Sequence, residues 1–188
     1  GVLKVEFEAN DALPLDNLAY LIVPQPIPRR ILLVGDNNYY VEKALSTSPE
    51  IKLASITAKE FPEHADKGYA TIIWNNVKDP QVAAGNNIYL GCWPPVKGLQ
   101  AEGSVRAPDV ADWDATHPLC RFIDFSNLMI AETAALTFPK DAELVLNSSQ
   151  TPLLGVLERD GNIMVVGGFD IFRSSWPLQV SFVLFLRN

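Results

Sequence analysis

The sequence predicts an α/β fold on a mixed, mostly parallel sheet, and three observations carry that expectation. Ile31-Leu32-Leu33-Val34 is a short uninterrupted apolar run closed by Gly35 and turn residues, and it leads into the helix-like Tyr39-Tyr40-Val41-Glu42-Lys43-Ala44-Leu45. A fully apolar strand beside an amphipathic helix is the pattern of a parallel strand covered on both faces. Similar short runs recur at 52–56, 70–74 and 87–90. Late in the chain, Leu153 to Glu158 and Ile163 to Val166 flank Arg159-Asp160-Gly161-Asn162, whose Asp-Gly pair is a hairpin turn, so part of the sheet is antiparallel.

Residues 2–8 and 18–23 alternate as two strands joined by Asn10 to Asn17, where Asp, Asn and Pro are turn formers. A lone hairpin is at best marginally stable, so this one must pack on the rest of the chain or belong to a sheet formed with strands outside it. Pro24-Gln25-Pro26-Ile27-Pro28 stiffens the chain into an extended connector, which sets the expected division at 1–27 and 28–188. Beyond the first four apolar runs, strands are expected at 128–132, 143–146, 153–159 and 162–167. The stretch from Pro94 to Pro118 is the longest without a clear element. Ser174-Ser175-Trp176-Pro177 reads as a serine cap followed by an early-helix proline, which predicts a terminal helix over 176–187.

Composition narrows the function. Of 188 residues 48% are hydrophobic and 20% charged, the mixture of a folded protein. Acidic residues outnumber basic ones 22 to 15, for a net charge of -7, and no stretch gathers Lys and Arg, which argues against a nucleic-acid or anionic-membrane binder. The chain opens Gly1-Val2 without an initiator Met, as a piece of a longer protein would. Its most apolar stretch, Val180 to Leu186, is far shorter than the ~20 residues of a membrane span. Two cysteines, Cys92 and Cys120, fit two buried thiols or one bridge.

No complete catalytic motif is present. Cys92 comes just after a strand, where a nucleophile elbow would hold a reactive thiol. Trp93, Pro94 and Pro95 argue against that role, because the prolines remove backbone N–H groups that would activate the thiol or bind an oxyanion. A cysteine hydrolase would use Cys92 with His117 and an acid such as Asp114 or Glu132, all within hydrogen-bond reach. Asp112-Trp113-Asp114-Ala115-Thr116-His117-Pro118 is the one compact cluster of acids with a histidine, and turn chemistry explains it better than a metal site. His64 reads as a solvated surface residue. Two histidines exclude a His-rich zinc site, so neither metal nor cofactor is expected. Gly167-Gly168-Phe169-Asp170 lacks the spacing of a phosphate loop and reads as glycines that let a strand end close to a helix. Asp11, Asp16 and Asn17 lack calcium-loop spacing and belong to the turn. A ligand crevice at the C-terminal edge of the parallel strands would be marked by accessible Trp93, Trp113 or Trp176.

Four stretches taken together resemble a known family: Asp11-Ala12-Leu13-Pro14-Leu15-Asp16-Asn17, Arg30-Ile31-Leu32-Leu33-Val34, Trp113-Asp114-Ala115-Thr116-His117-Pro118-Leu119, and Gly168-Phe169-Asp170 running into Ser175-Trp176-Pro177-Leu178 with Phe182 and Asn188. They are similar to the C-terminal extracytoplasmic region of bacterial membrane proteins with a von Willebrand factor A domain, the BatA-like aerotolerance group. The resemblance implies a β-sandwich ending in residues 1–27. It implies next a three-layer class I glutamine amidotransferase-like (flavodoxin-like) α/β domain over 28–188, with helices on both faces of a mixed, mostly parallel sheet. The adhesion motif DxSxS of the A domain is absent, so metal-dependent adhesion is not carried over. The poor match at Cys92 implies a degenerate, non-catalytic use of an enzyme fold. Together these readings point to an interaction or scaffold domain with protein partners. A cysteine-dependent hydrolase or amidotransferase and a small-ligand module are the alternatives.

Overall fold

A computed structural model describes residues 1–7, 18–23 and 27–188. The Asn10–Asn17 turn, its calcium-ligand candidates Asp11, Asp16 and Asn17, and Pro24 to Pro26 of the connector lie outside the described residues. Strands β1 (Val2–Glu6) and β2 (Leu18–Ile22) pair antiparallel as a sheet of their own, and all ten residues are exposed.

The main sheet begins with β3 (Arg29–Val34), and α1 (Tyr39–Leu45) connects it to β4 (Ile51–Ile56). Strands β5 (Thr71–Asn75) and β6 (Asn86–Leu90) come next. Later come β7 (Gln100–Arg106), β8 (Asp112–Trp113), β9 (Glu132–Thr137), β10 (Glu143–Asn147), β11 (Pro152–Arg159), β12 (Asn162–Gly167) and α2 (Val180–Arg187). Eight strands form one sheet in the order β4-β3-β5-β6-β12-β11-β10-β8. Its first five strands are parallel and the last three pair antiparallel. The β11–β12 hairpin turns where expected, with Asp160 and Gly161 at φ 52° and 73°.

Alternation along each central strand divides the core in two. Ile31, Leu33, Ile73 and Val165 point to one face, where α1 supplies Val41 and Leu45 and α2 supplies Phe182 and Phe185 around Trp176. Leu32, Val34, Ile72, Trp74 and Val166 point to the other. No α-helix covers that second face among the described residues. A 3-10 turn at Ala58–Glu63 contributes Phe61, the chain after β6 contributes Cys92 and Leu99, and the β7–β9 pair contributes Leu136. The helical layer is therefore thinner than the fold class implies: after β4 the chain makes only a 3-10 turn, with Pro62 inside it, and after β6 Pro94 and Pro95 interrupt the chain.

Three local expectations change. The stretch from Pro94 to Pro118 contains two strands, β7 and β8. The strand expected at 128–132 begins at Glu132, and Ile130 makes only an isolated bridge to Ser174. The terminal helix starts at Val180, after a 3-10 turn at Trp176–Leu178 and an extended Gln179. Ser175 does not cap it. Its hydroxyl instead accepts from the Met129 N–H at 3.0 Å and the Gln179 side chain at 3.0 Å.

Candidate functional site

Open parallel sheets bind ligands beyond the C-terminal strand ends, where the strand order reverses. Here β3 runs to β4 on one side and, through the next crossover, to β5 on the other, so the reversal lies between β3 and β5. Gly35 ends β3 against the end of β5, and a Cβ there would lie 2.5 Å from the Asn75 carbonyl oxygen, so only glycine fits. That approach brings two buried asparagines together. Asn75 Nδ2 donates to the Asn37 carbonyl at 2.6 Å and to Asn38 Oδ1 at 3.2 Å, while Asn38 Nδ2 donates to the Gly35 carbonyl and Ser55 Oγ. Asn75 Oδ1 is buried without a partner. On the far side, Asn76 Nδ2 donates to Asp170 Oδ2 at 3.3 Å, joining the end of β5 to the turn after β12. This amide network carries no sequence motif. Its only trace is Gly-Asp-Asn-Asn after one apolar strand and Asn-Asn after another.

Cys92 comes two residues after β6, the elbow position, with Gly91 at φ 67° making the turn. A Cβ at Gly91 would press on the Asp170 backbone at 3.1 Å, so the missing side chain lets this corner close. The thiol points into the core beneath Trp74 and Tyr89, is 4% exposed, and donates to the Trp74 carbonyl at 3.5 Å. Burial pushes it up to about 11 from an ordinary 9, so it is neutral at pH 7.

The other members of the hydrolase triad lie elsewhere. The Asp114 N–H donates to the Val145 carbonyl, and His117 Nε2 is 3.4 Å from Glu143 Oε2, so both belong to the β8–β10 margin. The turn after His117 packs Leu119 and Cys120 into the α1/α2 face, the opposite face from Cys92. His117 Nδ1 accepts from the Leu119 N–H at 3.1 Å, and Asp114 Oδ1 accepts from Thr116 and the His117 N–H. These are turn contacts, and the Thr116 hydroxyl first among them holds the Asp114 carboxyl below its ordinary range. Glu132 accepts from Ser104 at 2.6 Å and pairs with Arg173 at 2.9 Å. Cys92, His117, Asp114 and Glu132 do not converge. Asp112 pairs through its strand with Asn147.

The remaining candidates find structural partners. His64 is half-buried, with Nδ1 3.1 Å from the Tyr69 hydroxyl, and so is not the solvated residue the sequence suggests. Gly168 sits tight against a strand rather than a helix, since its Cβ would meet Thr133 Oγ1 at 2.9 Å on β9. Cys120 is a second free, buried thiol. Trp176 is buried among phenylalanines, and Trp93 and Trp113 pack against the two cores, so no tryptophan-lined crevice opens at the strand ends among the described residues.

No protein-family model and no curated protein matches the chain. Solved structures do. A cytoplasmic protein of Salmonella typhimurium superposes with a TM-score of 0.63 at 10% identity, covering 84% of this chain and 95% of its own. A GMP synthase-type protein of Thermoplasma acidophilum gives 0.54 at 10% identity, over 85% and 94% of the two chains. A ThuA-like protein of Parabacteroides merdae gives 0.52 at 10% identity, over 86% and 88%. At such identities the likeness concerns architecture alone. The chain has a glutamine amidotransferase-like α/β fold, with a large mixed sheet and few helices.

Proposed function

We propose that this chain is a non-catalytic interaction and scaffold domain that keeps an amidotransferase-like fold without its chemistry. The observation that carries the reading is Cys92. At the elbow position, the one nucleophile candidate is turned into the core, neutral, and bonded to a backbone carbonyl. Pro94 and Pro95 deprive the following chain of the N–H groups an oxyanion would need. The natural partners of such a domain are protein surfaces, including other domains of a longer chain. The resemblance of four sequence stretches to BatA-like proteins supports placing it on the extracytoplasmic side of a bacterial membrane protein with a von Willebrand factor A domain. No helix among the described residues is long and apolar enough to cross a membrane.

Hydrolysis of glutamine and of a p-nitrophenyl ester, assayed for the wild type and Cys92→Ala, tests the reading. Both proteins are expected at the uncatalysed background. Activity that disappears with Cys92→Ala would make the chain a cysteine hydrolase. A phosphatase reporter fused to the full-length chain, active only outside the cytoplasm, tests the location separately.

A further inference from the structure

We propose that the cleft at the N-terminal ends of the parallel strands binds a small amphipathic carboxylate, an apolar chain with one anionic head. The cleft measures about 500 Å³ and lies at the foot of the sheet, the opposite end from Cys92 and the asparagine network. That volume is in the ~300–1,000 Å³ range of small-molecule sites. Its floor is apolar: Ile31, Ile73, Val165 and Phe185. Ile163 on the wall is 45% exposed, a large apolar surface left in water in a concave site.

One wall of the cleft is braced by hydrogen bonds. Helix α2 ends at Arg187, and the adjoining Asn188 side chain donates to the Leu119 and Arg121 carbonyls at 3.2 and 2.9 Å. The helix end and the Pro118–Cys120 turn thus form one braced wall over the starts of β3 and β5. Polar groups gather at the rim. Two arginine side chains, Arg29 and Arg187, line the cleft against one acidic side chain, Glu50, a basic excess of side chains in a chain of net charge -7. Ser48, Thr71 and Asn86 also line the cleft, and guanidinium groups match carboxylates in planar, two-point geometry. The tail of the ligand lies on the isoleucines and its head meets the arginines. This inference is independent of the scaffold reading, since it involves neither Cys92 nor a protein partner.

The test is a methyl-NMR titration of the full chain with sodium decanoate, decanol and decyltrimethylammonium in parallel. Saturable shifts concentrated at the lining methyls of Ile31, Ile73, Ile163 and Val165 are expected, with decanoate binding at least about tenfold more tightly than decanol and the cation not at all. Arg29 and Arg187 are exposed, so Arg29→Gln with Arg187→Gln is expected to fold normally, lower decanoate affinity about tenfold and leave decanol binding unchanged. Equal binding of acid and alcohol, or an unchanged affinity in the double variant, would overturn the assignment. So would an absence of shifts at those methyls, or cross-relaxation showing Phe7 or Leu21 of the chain's own hairpin seated in the cleft.

Discussion

At the position after β6 the fate of a cysteine depends on its neighbours. Gly91 turns the chain, Trp74 offers a carbonyl, and the prolines beyond Trp93 prevent a helix from presenting its N-terminus to the sulfur. Side-chain volume matters in the same way on the other strands. Gly155 on β11 lies under the Phe138 ring, and a Cβ there would be 2.5 Å from Phe138 Cε1. Gly155→Ala should therefore cost about 1–3 kcal/mol as an overpacked site. Combining it with Phe138→Leu should cost less than the sum of the two changes, because the clash is shared. Urea midpoints of the three variants check this, and strict additivity would show that the ring and the glycine do not meet. Little of this detail is legible in the sequence. The spacing around Cys92 reveals the missing donors, but not which face the thiol takes, since a strand's direction in the sheet is a tertiary property. His64 likewise looks solvated because its partner, Tyr69, is reached only through the turn between them.

Elements are readable in proportion to how strongly burial shapes them. Strands β3, β5 and β6 are covered on both faces and show as near-continuous apolar runs. The β11–β12 hairpin shows through its turn residues, and Gly161 at φ 73° explains why glycine is needed there. Gly161→Ala should lower stability by about 1 kcal/mol without changing the register, seen as a reduced thermal midpoint with unchanged strand signals. Strand β7 is not readable. Its sequence Gln100-Ala101-Glu102-Gly103-Ser104-Val105-Arg106 is mostly exposed and bulges between Ala101 and Ser104, so no alternation marks it. The terminal helix is readable as an element but not in its start, because Ser175 spends its hydroxyl on Met129 rather than on a cap. What α2 contributes is aromatic packing: Phe182 and Phe185 lie 5.3 and 4.8 Å from the Trp176 ring. Phe182→Ala should cost about 3–5 kcal/mol, the range for emptying a buried aromatic site. A loss under about 1 kcal/mol in chemical denaturation would mean that α2 is not part of the cooperative unit.

For the molecule as a whole, titration of its buried and bonded groups sets the pH window of stability. Asp109, Asp114, Asp124, Asp141, Glu60 and Glu132 are held below their ordinary ranges, chiefly by hydrogen bonds from Ser149, Thr116, Ser126, Arg159, Thr57 and Ser104 respectively. A carboxyl whose folded value is depressed stabilises the fold above its unfolded value of about 4, and that contribution disappears as pH falls further. Cys92 and Cys120 are raised to about 11, mainly by burial, which also raises Tyr89. Groups with raised values stabilise fully below their unfolded values and lose that effect as pH climbs toward the folded ones. Thermal midpoints should therefore be flat from about pH 5 to 8 and fall on both sides, with Cys92→Ala lessening the alkaline fall. An alkaline limb identical in Cys92→Ala would show that this thiol does not titrate with unfolding. The architecture, a mixed sheet with a parallel half, is legible from the chain alone. The absence of α-helices from one face among the described residues is not, because segments that cross a face as 3-10 turns and irregular chain resemble loops whether or not they pack.

The most direct test of the central claim is the rate at which Cys92 is alkylated in the native protein between about pH 6 and 9, followed by mass spectrometry of the labelled peptide. A sealed, neutral thiol predicts labelling slower than a free cysteine by orders of magnitude and complete only on denaturation. Rapid labelling of Cys92 below about pH 7 without unfolding would contradict it, and would return the elbow cysteine to the role of a nucleophile.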